Sequence, residues 1–132
     1  MKRAFLNTVA GTILAAAATA PAGAHHSSAM FDMAKTISVS GTVKDFQYTN
    51  PHSWLLVVAP GPDGKDVEWS FEAEGPSTLL RSGIKKSSLP PGEKVTVRTH
   101  PMKDGRPAGA WIDVTKSDGT KLDPHGGPPA GS

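Results

Sequence analysis

An all-β domain with one short helix, built as a small five-stranded barrel of the OB type, is the fold predicted by this sequence. Three observations predict it. Five stretches alternate apolar and polar residues with period two. Clusters of Gly, Pro, Asn and Asp punctuate them. Between the third and fourth stretches, Gly75-Pro76-Ser77 opens a leucine-bearing segment long enough for one helical turn. Three strands, a helical connection and two more strands is the OB order. A β-sandwich and an open antiparallel sheet are the alternatives built from the same elements.

The first strand runs from about Thr36 to Tyr48. Ile37, Val39, Gly41 and Val43 share one face, and Ser38, Ser40, Thr42 and Lys44 share the other. The next apolar residue, Phe46, comes three positions after Val43, so a bulge is expected near Lys44-Asp45. Asn50-Pro51 is a turn signal. His52 to Val58 follows as a strand that is apolar on both faces at Trp54–Val58, the mark of a central position. Pro60-Gly61-Pro62-Asp63-Gly64 turns the chain into the third strand. There Val67, Trp69, Phe71 and Ala73 alternate with Glu68, Ser70, Glu72 and Glu74.

Proline at Pro76 suits a first helical turn. Gly83 ends that turn, and Leu79, Leu80, Ile84 and Leu89 are expected to plug one end of the barrel. Glu93–His100 is the fourth strand, with Val95 and Val97 inward. Lys103-Asp104-Gly105-Arg106 is a hairpin turn. Ala110–Thr115 is the fifth strand, with Ile112 and Val114 read as inward and Trp111 and Asp113 as outward.

Outside the barrel, residues 1–24 have the pattern of a secretory signal peptide. Lys2 and Arg3 precede an Ala-rich apolar run, and Ala22-Gly23-Ala24 supplies small residues for cleavage. The run is interrupted by Gly11 and Thr12 and is short of the roughly 20 residues of a spanning helix. Cleavage, with no stable membrane insertion afterwards, is therefore the expectation. Of 132 residues, 24 leave and 108 remain, enough for one core. The expected division is 25–35 as an extended lead-in, 36–122 as the barrel and 123–132 as a disordered Gly/Pro-rich tail. The expected destination is the periplasm, with secretion as the alternative.

Fourteen basic residues less Lys2 and Arg3 leave twelve, against twelve acidic ones. A neutral chain has no long-range field to gather nucleic acid. No cysteine is present, which excludes thiolate zinc sites, iron–sulfur clusters and thiol catalysis. The GxSxG, HExxH and GxxxxGK[ST] motifs are missing, so no enzyme class is assigned.

The sharpest chemistry lies at the end that cleavage would create. A chain beginning at His25 carries an α-amine and imidazole in one residue, and His26 adds a second ring. Nitrogen ligands in tetragonal geometry favour Cu²⁺, and the thioethers of Met30 and Met33 suit Cu⁺. His52 is the candidate third ligand, with His100 beside Met102 as another. Solvated histidines near a cleavage site, or a backbone-bonded His52 in the Asn-Pro turn, are the plainer readings of the same residues. Tyr48, Trp54 and Trp111 are candidates for an aromatic binding face. The core is the plainer place for Trp54 and Trp69, and Trp111 is best placed to be exposed. The expected partner is a transition metal ion, copper above all, or, without metal, an envelope protein or a small ligand on that face. A copper redox enzyme with an N-terminal histidine and a second histidine across the fold is the remaining alternative.

Four stretches carry a resemblance to a known family. They are Ala24-His25-His26-Ser27; Gly41-Thr42-Val43 leading to Thr49-Asn50-Pro51-His52-Ser53-Trp54; Gly75-Pro76 through Leu79-Leu80-Arg81-Ser82-Gly83 to Leu89-Pro90-Pro91-Gly92; and Pro101-Met102-Lys103-Asp104-Gly105. On these the chain resembles the small exported bacterial proteins grouped as DUF6152. The resemblance implies a signal peptide, a β-rich body and the paired histidines, and it lends no activity. One local departure is Ile84 after Gly83, where the resemblance implies an aromatic residue.

Overall fold

The computed structural model describes residues 28–126. The expected signal peptide, His25 and His26 lie outside the described residues, as do residues 127–132. The strands are β1 (Ile37–Gln47), β2 (Ser53–Pro60), β3 (Asp66–Ala73), β4 (Lys94–Pro101), β5 (Ala108–Lys116) and the two-residue β6 (Lys121–Leu122). One α-helix among the described residues, α1 (Pro76–Arg81), lies between β3 and β4, and short 3-10 turns occupy Ser28–Met30 and Lys86–Ser88.

The pairings close a ring. Antiparallel ladders join β1 to β2, β2 to β3, β1 to β4 and β4 to β5, and β3 meets β5 in parallel at Ser70↔Ala108, Phe71↔Gly109 and Glu72↔Ala110. Five strands thus form a closed OB-type barrel without free edges among them. β1 makes closure possible by serving two neighbours. Its first half, Ile37–Thr42, pairs with β4, and Thr42–Gln47 pairs with β2. The register slips between Val43 and Asp45, where the spacing of Val43 and Phe46 predicts a bulge.

Alternation then fills the interior. Val43, Phe46, Leu55, Val57, Phe71, Val97 and Val114 are buried, and Leu79, Ile84 and Leu89 seal one end. Leu80 is not part of that plug: it is 57% exposed, because a single helical turn cannot aim two consecutive residues at the same core. The turn stops at Gly83, whose φ of 77° suits only glycine at low cost.

β5 corrects the predicted phase. Arg98 pairs with Asp113 but Thr99 pairs with Trp111, so Ile112 is an extra residue in the ladder. That bulge puts Gly109 and Trp111 inward together with Val114; Trp111 is 5% exposed and meets Phe46 at 5.9 Å between ring centroids. Asp113 does turn outward, opposite Arg98, yet is only 2% exposed. Arg98 Nε lies 3.1 and 2.9 Å from its two oxygens, Arg98 Nη2 2.7 Å from Oδ2, and Lys121 Nζ 3.3 Å from Oδ2. This clamp ties β4, β5 and β6 together.

Both flanks of the barrel are held. The lead-in is pinned where Phe31 bridges Met102, Asp32 N–H donates to the Pro101 carbonyl and Lys103 N–H donates to the Met30 carbonyl. Phe31 is buried. Residues 123–126, expected to begin a loose tail, pack instead: Pro124 is buried and its carbonyl accepts the Ser82 hydroxyl at 2.7 Å.

Tyr48 shows how α1 is fastened. Its hydroxyl lies 3.0 Å from the Pro76 carbonyl and 2.9 Å from the Ile84 carbonyl, sharing one proton between them. Burial raises its pKa above the ordinary value near 10. Above pH ~10 the unfolded chain sheds this proton while the folded chain keeps it, so stability is full below that pH and falls as pH rises. It is the only tyrosine in the chain, so phenolate absorbance reports it alone. Tyr48→Phe is expected to cost about 1 kcal/mol at neutral pH and to remove this part of the alkaline decline. An equal decline in both proteins would contradict the latch.

Candidate functional site

Strand register builds a cleft on the outside of the barrel. Phe71 and Ala73 point inward, so Glu72 and Glu74 point outward. By the same alternation Ala110 and His100 point outward between inward-facing neighbours. Glu72 is opposite Ala110 and Ala110 is opposite His100, placing the three in one row across β3, β5 and β4. The methyl of Ala110 leaves open the two strand spacings, about 10 Å, between Glu72 and His100. A cavity of about 270 Å³ lies there, walled also by Ser28, Met33, His52, Glu74 and His125.

The Asn-Pro turn sets His52 at its edge. Thr49 Oγ1 donates to the His52 carbonyl at 3.0 Å, and Ser53 N–H donates to the Glu74 carbonyl at 3.3 Å. The turn packs against Gly75, where a Cβ would stand 2.8 Å from the Pro51 carbonyl oxygen. From this position His52 Nδ1 lies 3.1 Å from Glu72 Oε1, whose side chain is 10% exposed. Across the cleft, His100 Nδ1 lies 2.8 Å from the Lys35 carbonyl oxygen.

These contacts assign the tautomers. A carbonyl and a carboxylate only accept, so both Nδ1 atoms carry hydrogen and, in the neutral rings, both Nε2 atoms keep a lone pair. A metal-binding histidine is oriented in this way, its other nitrogen donating to a carboxylate or backbone carbonyl. Held in this way, His52 and His100 each direct Nδ1 to a protein acceptor and leave Nε2 as the nitrogen able to meet a metal ion. Among the described residues, no three His, Asp or Glu side chains are grouped so as to hold a metal ion.

The other candidate residues scatter. Met33 lines the cleft and is 54% exposed; Met30, 43% exposed, does not line it. Tyr48 is committed to its two carbonyls. Trp54 is half-buried on the outward phase of β2 and lines no part of the cleft. Trp111 forms part of the cleft wall, but its ring is buried and, among the described residues, its Nε1 has no acceptor. An exposed docking face centred on Trp111 is thus not what this barrel presents.

Glu72, His100 and His125 complete what sequence reasoning assembled only in part. Glu72 reads as one of several solvated carboxylates, and its proximity to His52 is diagonal, since Trp54, not His52, is its register partner. His100 joins only through the β4–β5 register, which the bulge at Ile112 shifts by one.

Neither curated proteins nor solved structures give a match to this chain. A family model does: the family of unknown function DUF6152 matches residues 13–114. That match takes in the end of the Ala-rich apolar run, the Asn-Pro-His turn, α1 and β1 to β4 with most of β5, and the chain belongs to the DUF6152 family.

Proposed function

We propose that this protein is an exported periplasmic module that binds a transition metal, copper foremost, through a mature N-terminus beginning His25-His26. The α-amine and imidazole of His25 provide a chelating pair, His26 stands by, and the cleft contributes His52 with His100 opposite. Nitrogen donors of this kind favour Cu²⁺.

One observation carries the proposal. The described chain starts at Ser28 on the wall of the cavity that contains His52 and His100, each with Nδ1 already engaged. His26 is two residues from Ser28 and His25 three, a reach of at most about 7 and 10 Å. Among the described residues the Nε2 atoms of His52 and His100 have no hydrogen-bond partner, and the paired histidines precede Ser28 in the sequence by two and three positions. Glu72 would act on the metal through His52, as a positioning residue.

Copper titration of the correctly cleaved protein tests this. The protein should bind Cu²⁺ at least tenfold more tightly than a peptide beginning His-His-Ser. His25→Ala and His52→Ala should each lose that advantage, and Glu72→Gln should weaken binding about 10-fold or more. Equal affinity in the protein, its variants and the peptide would overturn the proposal.

A further inference from the structure

A second cavity, of about 290 Å³, shares no wall residue with the cleft and opens at the mouth of the barrel. Its wall is mixed, and the apolar part is formed by Trp69 of β3, Ile37 at the start of β1, and Pro101 and Met102 at the end of β4. Trp69 belongs to the inward phase of its strand, but it lies near the open end and is only half-buried. Phe71 stacks beside it, with ring centroids 5.8 Å apart and planes within 8°. The indole is thereby held in a fixed orientation, with part of its surface left to the cavity.

The rim is cationic. Lys35, Lys103 and Arg106 line the cavity against a single carboxylate, Asp32. Asp32 is engaged, its Oδ1 accepting the Ala34 N–H at 3.2 Å. Arg106 is paired through Nε with Asp104 at 2.7 Å. Among the described residues neither Lys35 nor Lys103 has an ion-pair partner. An aromatic wall in one cavity with two lysines that have no ion-pair partner among the described residues matches a ligand with a flat apolar body and an anionic substituent. The volume, near the lower end of the roughly 300–1,000 Å³ typical of small-molecule sites, admits one ring and no polymer.

We propose that the barrel mouth is a binding site for small ring-bearing carboxylates, with the ring against Trp69 and the carboxylate between Lys35 and Lys103. This site stands independently of the metal reading. Benzoate is the probe, with benzyl alcohol as the ring without charge and acetate as the charge without a ring. In amide-correlation NMR spectra of the full mature chain, benzoate should shift the Trp69 indole signal saturably, together with the amides of Lys103 and Gly105. Trp69→Phe assigns the indole signal by its loss. Benzyl alcohol and acetate should bind at least tenfold more weakly. Lys103→Gln, an exposed change, should weaken benzoate at least fivefold while leaving the melting temperature unchanged. The proposal is overturned by the absence of a saturable shift at these signals. It is equally overturned if either control matches benzoate, or if Lys103→Gln binds benzoate as tightly as the parent.

Discussion

Replacing Trp111 by alanine is expected to destabilise the protein by about 3–5 kcal/mol, the range for removing a large buried aromatic ring. The ring sits at 5% exposure against Phe46, inside the closed barrel. Trp54→Ala removes a ring of the same size from the outward phase of β2, where burial is partial, and should cost clearly less. Urea denaturation midpoints of the two variants make the comparison. A loss of under about 1 kcal/mol for Trp111→Ala, or the reverse ranking, would mean that the ring faces solvent and that β5 has no bulge at Ile112.

Gly41→Ala is the second large effect, expected to cost roughly 3 kcal/mol, at the upper end of the usual range for overpacking. Gly41 lies next to Thr42, the residue of β1 that pairs with both β4 and β2. A Cβ there would run into the carbonyl oxygen of Val58 and stand 2.8 Å from Val57 Cγ1. The nearer obstacle is backbone, fixed by the β1–β2 ladder, and cannot swing aside as a side-chain tip would. Loss of stability should appear as a lower denaturation midpoint with the native β-sheet circular dichroism retained at low temperature. An unchanged midpoint would show that the two ladders do not approach so closely at this point.

These two residues also mark where pattern reading works and where it stops. In β1 the bulge was legible because Val43 and Phe46 are three apart with polar residues between them, so the slip shows in the hydrophobic spacing itself. In β5, Trp111, Ile112 and Val114 place apolar residues on both phases. Period-two counting then has no internal marker of the inserted residue, and it assigns Trp111 to the wrong side. Leu80 failed for a different reason: one helical turn has only one inward direction, and the preference between adjacent leucines is set by how the turn docks. β6 was invisible because two residues carry no periodicity. It exists through pairing with β5 and through Lys121 on the buried Asp113.

The candidate site divides along the same line. His52 is local information, a histidine in an Asn-Pro turn ahead of a strand. Its link to Glu72 is diagonal across a ladder, and His100 enters through a register shifted by a bulge, so neither follows from spacing along the chain. The stretch just after β6 is similar. Asp123–Gly126 has no apolar run, yet Pro124 is buried and Ser82 donates to its carbonyl, a contact 42 residues away in sequence. Composition measures what a segment can bury unaided and does not register a partner already waiting for it.

Native mass spectrometry of the protein isolated without denaturation reads the N-terminus and any retained metal in one spectrum. The account predicts a chain that begins at His25 and carries one copper ion, which is lost in a His25→Ala, His52→Ala double variant of the same mature length. A molecule that keeps residues 1–24, that starts beyond His26, or that starts at His25 and is metal-free after equilibration with stoichiometric copper would contradict it.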